Sequence, residues 1–436
     1  MERALLVSVD YHKDDWAAQS SLEELARLSE TAGLDVVGTV TQKLSHPHPH
    51  SYVGKGKLEE IAEAIGELHA DVVIFDDELS PSQLRTVEER LQVKIIDRTA
   101  LILDIFAKRA QTHEGRLQVE LAQLEYRLPR LTRMWTHLER QAVGGVGLRG
   151  PGETQLETDR RLARSRIALI KAELSDVHRH RELYRSNRRR NNIPVIAIVG
   201  YTNAGKSTLL NQMTNAGVLS EDQLFATLDP TTRRITLPNG RPVLLTDTVG
   251  FINHLPTTLI AAFRATLEEI SEAAVLLHVV DIAHPDAPEQ AETVREILAE
   301  LDVLGKPVVT ALNKIDLIES TIDPGALAES LGLPGDFVPI SAERGIGIDL
   351  LLERIGEAIG ESQGLEQVRV SIPFERAELV NLFHRAGRVD ESTFDESGTH
   401  LTGMLPRRLL PRYEPFLHPS DSRARQGTRT PTASEI

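Results

Sequence analysis

A glycine-rich loop between an apolar run and an amphipathic stretch carries the strongest chemical signal in the chain. Gly200, Gly205, Lys206 and Ser207 fit the pattern G-x-x-x-x-G-K-[ST], whose turns direct backbone N–H groups at a pyrophosphate. The spacing predicts a phosphate at the N-terminus of a helix that opens near Lys206. The Lys206 ammonium would bridge the β- and γ-phosphates, and the Ser207 hydroxyl suits Mg²⁺. A tight turn that binds no ligand is the alternative.

Two loops further along the chain carry residues suited to the same phosphates and metal. The Thr-rich segment FATLDPTTR, residues 225–233, offers Thr227 as a second Mg²⁺ ligand, with the threonines at 231 and 232 as alternatives. After the strand VLLT, Asp247 can hold a metal-bound water and Gly250 can give its amide to a γ-phosphate. One Asp-x-x-Gly is common, so its position one strand after the glycine-rich loop carries the prediction.

The sequence NKID at the end of another apolar run predicts which base the nucleotide carries. The Asp316 carboxylate can accept hydrogen bonds from guanine N1–H and N2–H₂, whereas adenine has no matching pair of donors. The Lys314 stem can lie over the ring, and Asn313 can contact N7 and fix the neighbouring loop. After Ser341, Ala342 can offer its amide to guanine O6. These spaced elements predict a nucleotide-binding module with a preference for guanine.

The composition indicates a large protein that does not rely on disulfides. The chain has 436 residues, more than one core usually holds, which predicts about three domains. It contains no cysteine, which excludes disulfides and thiolate metal sites and fits a reducing cytosol. No stretch of about 18 apolar residues exists, so we expect a cytoplasmic protein without a membrane span, at most loosely membrane-associated.

The charge distribution is uneven along the chain. The formal net charge of −15 taken alone argues against nucleic acid. Residues 104–190, however, hold 19 lysines and arginines against 11 acidic residues, a local balance of +8. A positive segment in an acidic body predicts a polyanionic partner at one defined place.

Residues 1–103 alternate short apolar runs with amphipathic stretches. The runs ALLVSV, LDVVGTV, VVIFDD and KIID predict strands, and the stretches between them predict helices. Such alternation favours a small parallel sheet covered by helices. We expect Ser80 with Pro81 to begin one helix and Thr99 to cap the next.

The loop HPHPHSYVGKGK, residues 46–57, contains three histidines that invite a metal interpretation. The prolines between them impose extended backbone and no carboxylate is close in sequence, which favours a solvated loop. Gly54 and Gly56 with their neighbouring lysines could hold a phosphate, but their match to a helix opening is poor.

Residues 104–192 predict a hairpin of two long helices, since apolar residues recur three or four apart on both sides of a glycine-rich joint. The first helix is expected to bend at Pro129. The joint, about residues 143–153, is longer than a reversal of direction needs. Its glycines allow close approach to another surface, and Arg149 adds charge. The alternatives are an RNA-binding loop and a floppy connector.

We favour RNA because of the local charge excess. A charge-rich helical face that is merely solvated is the other interpretation. The expected RNA-binding residues are Gly144, Gly145, Gly147, Arg149, Gly150, Gly152, Arg160 and Arg161.

Two sets of residues resemble known proteins. The stretches 200–207, 247–250 and 313–316, with Thr227 and Ser341-Ala342, resemble the five signature stretches of the Ras-like translation-factor GTPases. The glycine-rich joint followed by GETQLETDRR, residues 152–161, resembles the HflX family of ribosome-associated GTPases. The likeness covers the chain from near residue 1 to about residue 410.

The resemblance implies an α/β architecture with a P-loop Ras-like GTPase domain at 193–362. A small parallel α/β domain at 1–103 and the long helical hairpin precede it. A small α/β C-terminal domain at 363–413 follows, and then a tail at 414–436 that we expect to be disordered because it has little to bury.

The resemblance also implies a function. It implies a GTPase that binds the large ribosomal subunit and its rRNA, presents the glycine-rich loop toward the catalytic centre there, and splits or rescues stalled or idle 70S ribosomes under stress. Family members are described as hydrolysing ATP through the N-terminal region, for which this sequence shows no second phosphate loop. We expect a monomer that binds GTP and GDP with Mg²⁺.

The expected nucleotide-binding residues come from the signature stretches and their flanks. They are Gly200, Tyr201, Thr202, Asn203, Ala204, Gly205, Lys206, Ser207, Phe225, Ala226, Thr227, Leu228, Asp229, Asp247, Thr248, Val249, Gly250, Asn313, Lys314, Ile315, Asp316, Ser341, Ala342 and Glu343. Ser207 and Thr227 are the expected Mg²⁺ ligands.

Hydrolysis is expected to be slow without help. Many GTPases have a glutamine after the Asp-x-x-Gly stretch to orient the attacking water, and this chain has Phe251 there. We expect Lys206, Thr227, Gly250 and Asn203 to carry the reaction. Asn203 would help to bind K⁺ beside the phosphates, which would offset their charge as an arginine finger does. Docking on the ribosome would hold the remaining groups of the site in place.

Two other functions fit the same residues. One is a regulatory switch whose hairpin binds a protein partner and whose glycine-rich joint is only a hinge. The other is an RNA-remodelling NTPase driven by the N-terminal domain.

Overall fold

The computed structural model describes most of the chain. The described residues are 1–11, 18–131, 151–190, 193–214, 224–225, 227–228, 231–253, 269–318, 323–330, 337–362, 365–395, 397–406 and 409–418. Several predicted site residues lie outside these ranges: Gly144, Gly145, Gly147, Arg149, Gly150, Ala226 and Asp229.

The N-terminal domain is a parallel four-stranded sheet in the order β2-β1-β3-β4 with helices between the strands. This confirms the small parallel sheet predicted from the alternating pattern. Apolar side chains fill the space on both faces of the sheet, since neighbouring strand residues point to opposite sides. Its elements are β1 Arg3–Asp10, α1 Ala18–Thr31, β2 Asp35–Lys43, α2 Lys55–Leu68, β3 Val72–Phe75, α3 Pro81–Leu91 and β4 Lys94–Asp97.

Side-chain caps fix where two helices of this domain begin. Ser80 accepts a hydrogen bond from the backbone of Gln83, and the Gln83 side chain bonds back, so the predicted start of α3 is confirmed as a capping box. The next helix, α4 Arg98–Arg109, is capped by Asp97 and not by Thr99. The prediction of Thr99 was wrong, since the carboxylate two residues earlier reaches the Ala100 amide first.

The long helical region is interrupted once before the hairpin. It divides into α4 and α5 His113–Arg130, because Thr112 accepts a hydrogen bond from the Gly115 amide and starts a new helix. The predicted boundary at residue 103 falls inside α4. Pro129 lies in the last turn of α5, and the predicted continuation of the helix beyond it lies outside the described residues.

The second helix of the hairpin, α6 Pro151–Arg190, is 40 residues long and packs on α5. Leu117 and Leu121 of α5 bury Ile170 of α6 between the two helices. Ion pairs flank this seam, with Arg166 joined to Glu120 through two hydrogen bonds of 2.6 and 2.7 Å. The apolar contact contributes most of the free energy that holds α6 against α5, since exposed ion pairs contribute little.

The central domain is a six-stranded sheet in the order β10-β9-β8-β5-β7-β6, in which β6 runs antiparallel to β7 and the other pairings are parallel. Mostly apolar strands, buried on both faces, are typical of a sheet covered by helices. Its elements are β5 Val195–Gly200, α7 Lys206–Thr214, β6 Thr231–Thr236, β7 Pro242–Asp247, β8 Val275–Asp281, α8 Ala287–Glu300, β9 Val308–Asn313, α9 Pro324–Ser330, β10 Phe337–Pro339 and α10 Ile348–Ser362.

The C-terminal domain is a three-stranded antiparallel sheet in the order β11-β13-β12 with helices packed on it. Residues 414–416 form a short 3₁₀ turn here, because Phe416 and Leu417 pack against the domain core. The predicted start of the disordered tail at 414 is therefore too early. The elements are β11 Leu365–Ile372, α11 Ala377–Ala386, β12 Arg388–Asp395, β13 Gly398–Pro406 and α12 Leu410–Tyr413.

The N-terminal and central domains share one apolar core. Phe106 of α4 meets Phe225 edge to face, with ring centroids 4.6 Å apart, and the same core continues to Tyr201 and Phe251. Among the described residues, no helix is both long and apolar enough to cross a membrane, and no three His, Cys, Asp or Glu side chains group as metal ligands would.

Candidate functional site

The glycine-rich loop joins β5 to α7 as the sequence predicts. Gly200 has φ +152° and Gly205 has φ +93°, values that side chains rarely allow. A Cβ at Gly200 would lie 2.3 Å from the Val279 carbonyl oxygen, and one at Gly205 would lie 2.2 Å from Asn313 Nδ2. Asn203 also adopts a positive φ of 61°. The loop therefore closes tightly over the start of α7 and leaves its first amides directed at a ligand.

Lys206 is buried at the start of α7, where its ammonium group donates to the Tyr201 carbonyl at 2.6 Å. Burial lowers the pKa of Lys206 to about 8, and the nearby Asp247 partly opposes the shift. A buried ammonium group beside one carboxylate is short of negative charge. A phosphate at the loop would supply that charge.

Three oxygen-bearing side chains converge beside this lysine. Ser207 Oγ lies 2.8 Å and Thr227 Oγ1 lies 2.9 Å from Asp247 Oδ2, and the two hydroxyls are 2.9 Å apart. The other carboxylate oxygen, Asp247 Oδ1, is buried without a hydrogen-bond partner. Burial raises the pKa of Asp247. A cluster of hard oxygens with one oxygen unsatisfied fits Mg²⁺. The alternative Thr232 instead bonds Thr246 at 3.0 Å within the sheet.

The segment after Asp247 runs alongside the glycine-rich loop. The Thr202 amide donates to the Phe251 carbonyl at 2.7 Å, and the Phe251 amide donates to the Gly200 carbonyl at 3.1 Å. A Cβ added to Gly250 would lie 3.0 Å from Lys206 Nζ, so the glycine backbone sits where phosphate contacts are needed. The Phe251 ring is buried in the shared core, which leaves no side chain there to orient water.

The predicted base-recognition residues are brought together at the ends of β9 and β10. Asn313 donates to the Ala204 carbonyl at 2.8 Å and accepts from the Ala342 amide at 2.9 Å, so it ties the two nucleotide loops together. The Ala342 amide, predicted to serve guanine O6, is thus engaged by Asn313. The Asp316 side chain is 6% exposed with Arg344 Nε 3.5 Å away. Lys314 pairs with Asp281 at 2.7 Å.

Several of the predicted nucleotide-binding residues place their side chains elsewhere. Thr248 donates its hydroxyl to the Ile198 carbonyl at 2.7 Å, a bond inside the sheet. Glu343 is exposed, and Ser341 is buried with its hydroxyl accepting from the Arg344 amide. The remaining side chains pack in apolar cores, so only their backbones can reach a nucleotide: Ala204, Phe225, Leu228, Val249 and Ile315.

The N-terminal domain reaches this site, which the sequence reasoning did not anticipate. The Tyr201 phenol donates to Glu24 of α1 and accepts from the Asn253 amide. Helix α1 and the glycine-rich loop border a cleft of about 980 Å³ that also reaches Asp281 and Lys314. Asp281 could have been predicted as a site residue from the sequence, because it lies at the end of an apolar strand. Glu24 lies 177 residues from Tyr201, and no local pattern in the sequence indicates that their side chains meet.

The predicted RNA-binding residues that the structure describes all lie on α6. Gly152 is in its first turn, Arg160 is half-buried and Arg161 is exposed. These residues occupy the end of α6 that follows the glycine-rich joint in the sequence. The structure does not bring them together with the nucleotide loops.

Three family models match the chain in succession. Residues 19–107 match the model described as GTP-binding GTPase N-terminal, and residues 109–188 match the GTP-binding GTPase middle region. Residues 195–314 match the model described as 50S ribosome-binding GTPase.

Named relatives align over nearly the whole chain. GTPase HflX of Caldanaerobacter subterraneus subsp. tengcongensis is 46% identical over 416 residues, which covers 95% of this chain and 94% of the relative. GTPase HflX of Escherichia coli K12 is 45% identical over 398 residues, covering 91% and 92%. Among solved structures, the SsGBP and GDP complex aligns at 28% identity over 83% of this chain and 99% of that chain, with TM-score 0.46.

Proposed function

Because the chain belongs to the HflX family of GTPases, we propose that in its GTP form it binds the large ribosomal subunit and splits or rescues stalled or idle 70S ribosomes under stress. The chain binds and hydrolyses GTP, as its family does. The observation that carries the ribosomal part is the match of residues 195–314 to 50S ribosome-binding GTPases.

The shape of the helical hairpin supports a projecting contact element. Helix α6 has 40 residues, which makes it about 60 Å long at 1.5 Å per residue. The seam of Leu117, Leu121 and Ile170 fixes it to α5. A glycine-rich segment that precedes such a fixed helix can be presented at a distance from the GTPase domain.

Charge on the hairpin supports rRNA as the surface it meets. Residues 104–190 hold 19 basic against 11 acidic side chains, and Arg161 and Arg164 are exposed on α6. Arginines at exposed helical positions contact phosphates without regard to sequence, and such binding weakens as salt rises. An acidic body with this one basic segment limits the contact to a defined place.

GTP would be held by the glycine-rich loop, with Ser207 and Thr227 as Mg²⁺ ligands and Asp247 nearby. The metal ion would neutralise charge on the phosphates. This chain contributes the Lys206 ammonium and the Gly250 amide to the same charge. Because the Phe251 ring is buried, the unaided reaction is slow, and we propose that K⁺ near Asn203 and docking on the ribosome accelerate it.

Co-sedimentation with purified large subunits tests the proposal. The full-length chain should sediment with them in a non-hydrolysable GTP analogue, less so in GDP, and progressively less as KCl rises. The charge reversals Arg161→Glu and Arg164→Glu should weaken this binding. Arg90→Glu, an exposed arginine on α3, is the matched control and should not.

Ribosome splitting needs its own measurement. Light scattering of 70S particles should fall when the chain is added with the GTP analogue, and not with GDP. Nucleotide-dependent capture of a single protein without rRNA would support a regulatory switch on a protein partner instead. RNA-stimulated ATP turnover that survives Lys206→Ala would support an RNA-remodelling NTPase.

A further inference from the structure

A single phenol joins three parts of the molecule beside the nucleotide site. Tyr201 directly follows Gly200 in the glycine-rich loop, and its side chain reaches α1 of the N-terminal domain. Its hydroxyl donates to Glu24 Oε1 and accepts from the backbone N–H of Asn253 at 2.8 Å. Asn253 lies three residues after Gly250, whose amide is predicted to meet the γ-phosphate.

The carboxylate that receives this phenol is itself fixed. The other oxygen of Glu24 pairs with Arg98, and Arg98 also donates to Asp76 at 2.8 Å. Asp76 in turn accepts from Ser21 at 2.6 Å and from Ser8 at 3.1 Å. Arg98 is 1% exposed, and a buried guanidinium group persists only with its carboxylate partners in place. The network therefore holds Glu24, and through it the phenol, in one position.

The protonation state of the phenol suits both of its hydrogen bonds. Burial, and after it the charge of Glu24, raise the pKa of Tyr201 above its ordinary value. The hydroxyl therefore keeps its proton at neutral pH and donates it to Glu24, while a lone pair accepts from Asn253. A phenylalanine would fill the same volume but could make neither bond.

We propose that Tyr201 is a positioning residue for GTP hydrolysis, which fixes the 250–253 segment through the Asn253 amide. The segment is held at its other side by the bonds of Phe251 to Thr202 and Gly200. Together these contacts keep Gly250 beside Lys206. The N-terminal domain thus contributes to the geometry of the reaction through Glu24. This role depends on GTP hydrolysis and not on ribosome binding.

Single-turnover hydrolysis of GTP by the full-length chain without ribosomes tests the proposal. Tyr201→Phe should lower the rate by about tenfold, the upper range for one lost hydrogen bond. The affinity for GDP should stay within about twofold, because the guanine and P-loop contacts remain. Tyr52→Phe is the matched control: Tyr52 is buried in the N-terminal domain and its hydroxyl donates to Asp77 at 2.6 Å, far along the chain from the GTPase loops.

Variants of Glu24 separate positioning from loss of structure. Glu24→Ala should reproduce the tenfold loss. Glu24→Gln should keep more of the rate than Glu24→Ala, because its amide oxygen still accepts from the phenol although its NH₂ group cannot accept from Arg98. The double variant Tyr201→Phe/Glu24→Ala should be no slower than either single variant, since both remove one interaction. The melting temperature of each Glu24 variant shows whether the bond of Arg98 to Asp76 alone keeps the domain folded, and a folded Glu24 variant provides the test if Tyr201→Phe does not fold.

Several results would overturn the proposal. They are an unchanged or faster rate in Tyr201→Phe, equal losses in Tyr52→Phe, a fall in GDP affinity that matches the fall in rate, and additive losses in the double variant. An absence of ribosome binding in the parent protein would count against the proposed function alone, since this assay contains no ribosomes.

Discussion

Replacing Asp316 by asparagine exchanges the acceptor that selects guanine for a group that also donates. In the structure the carboxylate is almost fully buried at 6% exposure, and Arg344 Nε lies 3.5 Å from it. The carboxylate is therefore largely removed from solvent and lies beside a guanidinium group. Xanthine carries a carbonyl where guanine carries N2–H₂, so the new side-chain amide has a partner in xanthine but not in guanine.

The expected loss follows from the two hydrogen bonds that guanine makes to this carboxylate. A hydrogen bond to a charged group is worth about 1.5–3 kcal/mol. Two of them amount to about 3–6 kcal/mol, which corresponds to a roughly 10²- to 10⁴-fold weaker affinity for GDP. Xanthosine diphosphate should gain affinity in the same variant.

Calorimetric titration with GDP and with xanthosine diphosphate measures both changes in one protein preparation. Asp323→Asn is the control, since Asp323 is exposed in the same domain and its carboxylate accepts from the Gly325 and Ala326 amides. GDP affinity within about threefold of the parent protein in Asp316→Asn would refute the placement of the base pocket. Loss of GDP binding with no gain for xanthosine diphosphate in a folded variant would refute the acceptor role.

Three further predictions concern the phosphates, the cation and the core. Lys206→Ala should abolish the rise in melting temperature that GDP gives the parent protein, because binding to the folded state is what causes that rise. GTP turnover should be faster in K⁺ than in Na⁺, and Asn203→Ala should remove the difference; equal rates in the parent protein would contradict the role of Asn203. Burial lowers the pKa of His278 to about 4, so the unfolded state, with a pKa near 6.5, binds more protons between those values and stability falls as pH falls from about 6.5. In urea unfolding, the parent protein should lose about 2 kcal/mol more than His278→Asn between pH 7.5 and pH 5, and equal losses would show that the imidazole is not buried neutral.

The turn of the glycine-rich loop could be predicted because its conformation depends on neighbouring residues. The positive φ angles at Gly200 and Gly205 require glycine, so the glycine spacing already encodes the turn. Ser80 and Pro81 likewise encode the start of α3 through a cap that closes within one helical turn. Such signals need no knowledge of the rest of the fold.

Helix boundaries in the long helical region were less predictable. The apolar positions on the two sides of residues 110–112 predict one continuous helical region, yet α4 ends and α5 begins there, because the Thr112 side chain caps a new helix. The same competition placed the cap of α4 at Asp97 in preference to Thr99. Periodicity indicates that a helix exists but leaves its ends to side-chain contacts.

The sequence by itself determined the parallel sheet of the N-terminal domain, the turn of the glycine-rich loop and the predicted preference for guanine, since each depends on residue types at short spacings. Only the tertiary structure decided that Phe225 and Val249 turn into a core, and that Tyr201 meets Glu24 across 177 residues. The physical reason is that turns, caps and periodicities arise between neighbours in the chain. Hydrogen bonds between buried polar groups that are distant in the sequence depend on how separate elements pack, and no local pattern in the sequence predicts that packing.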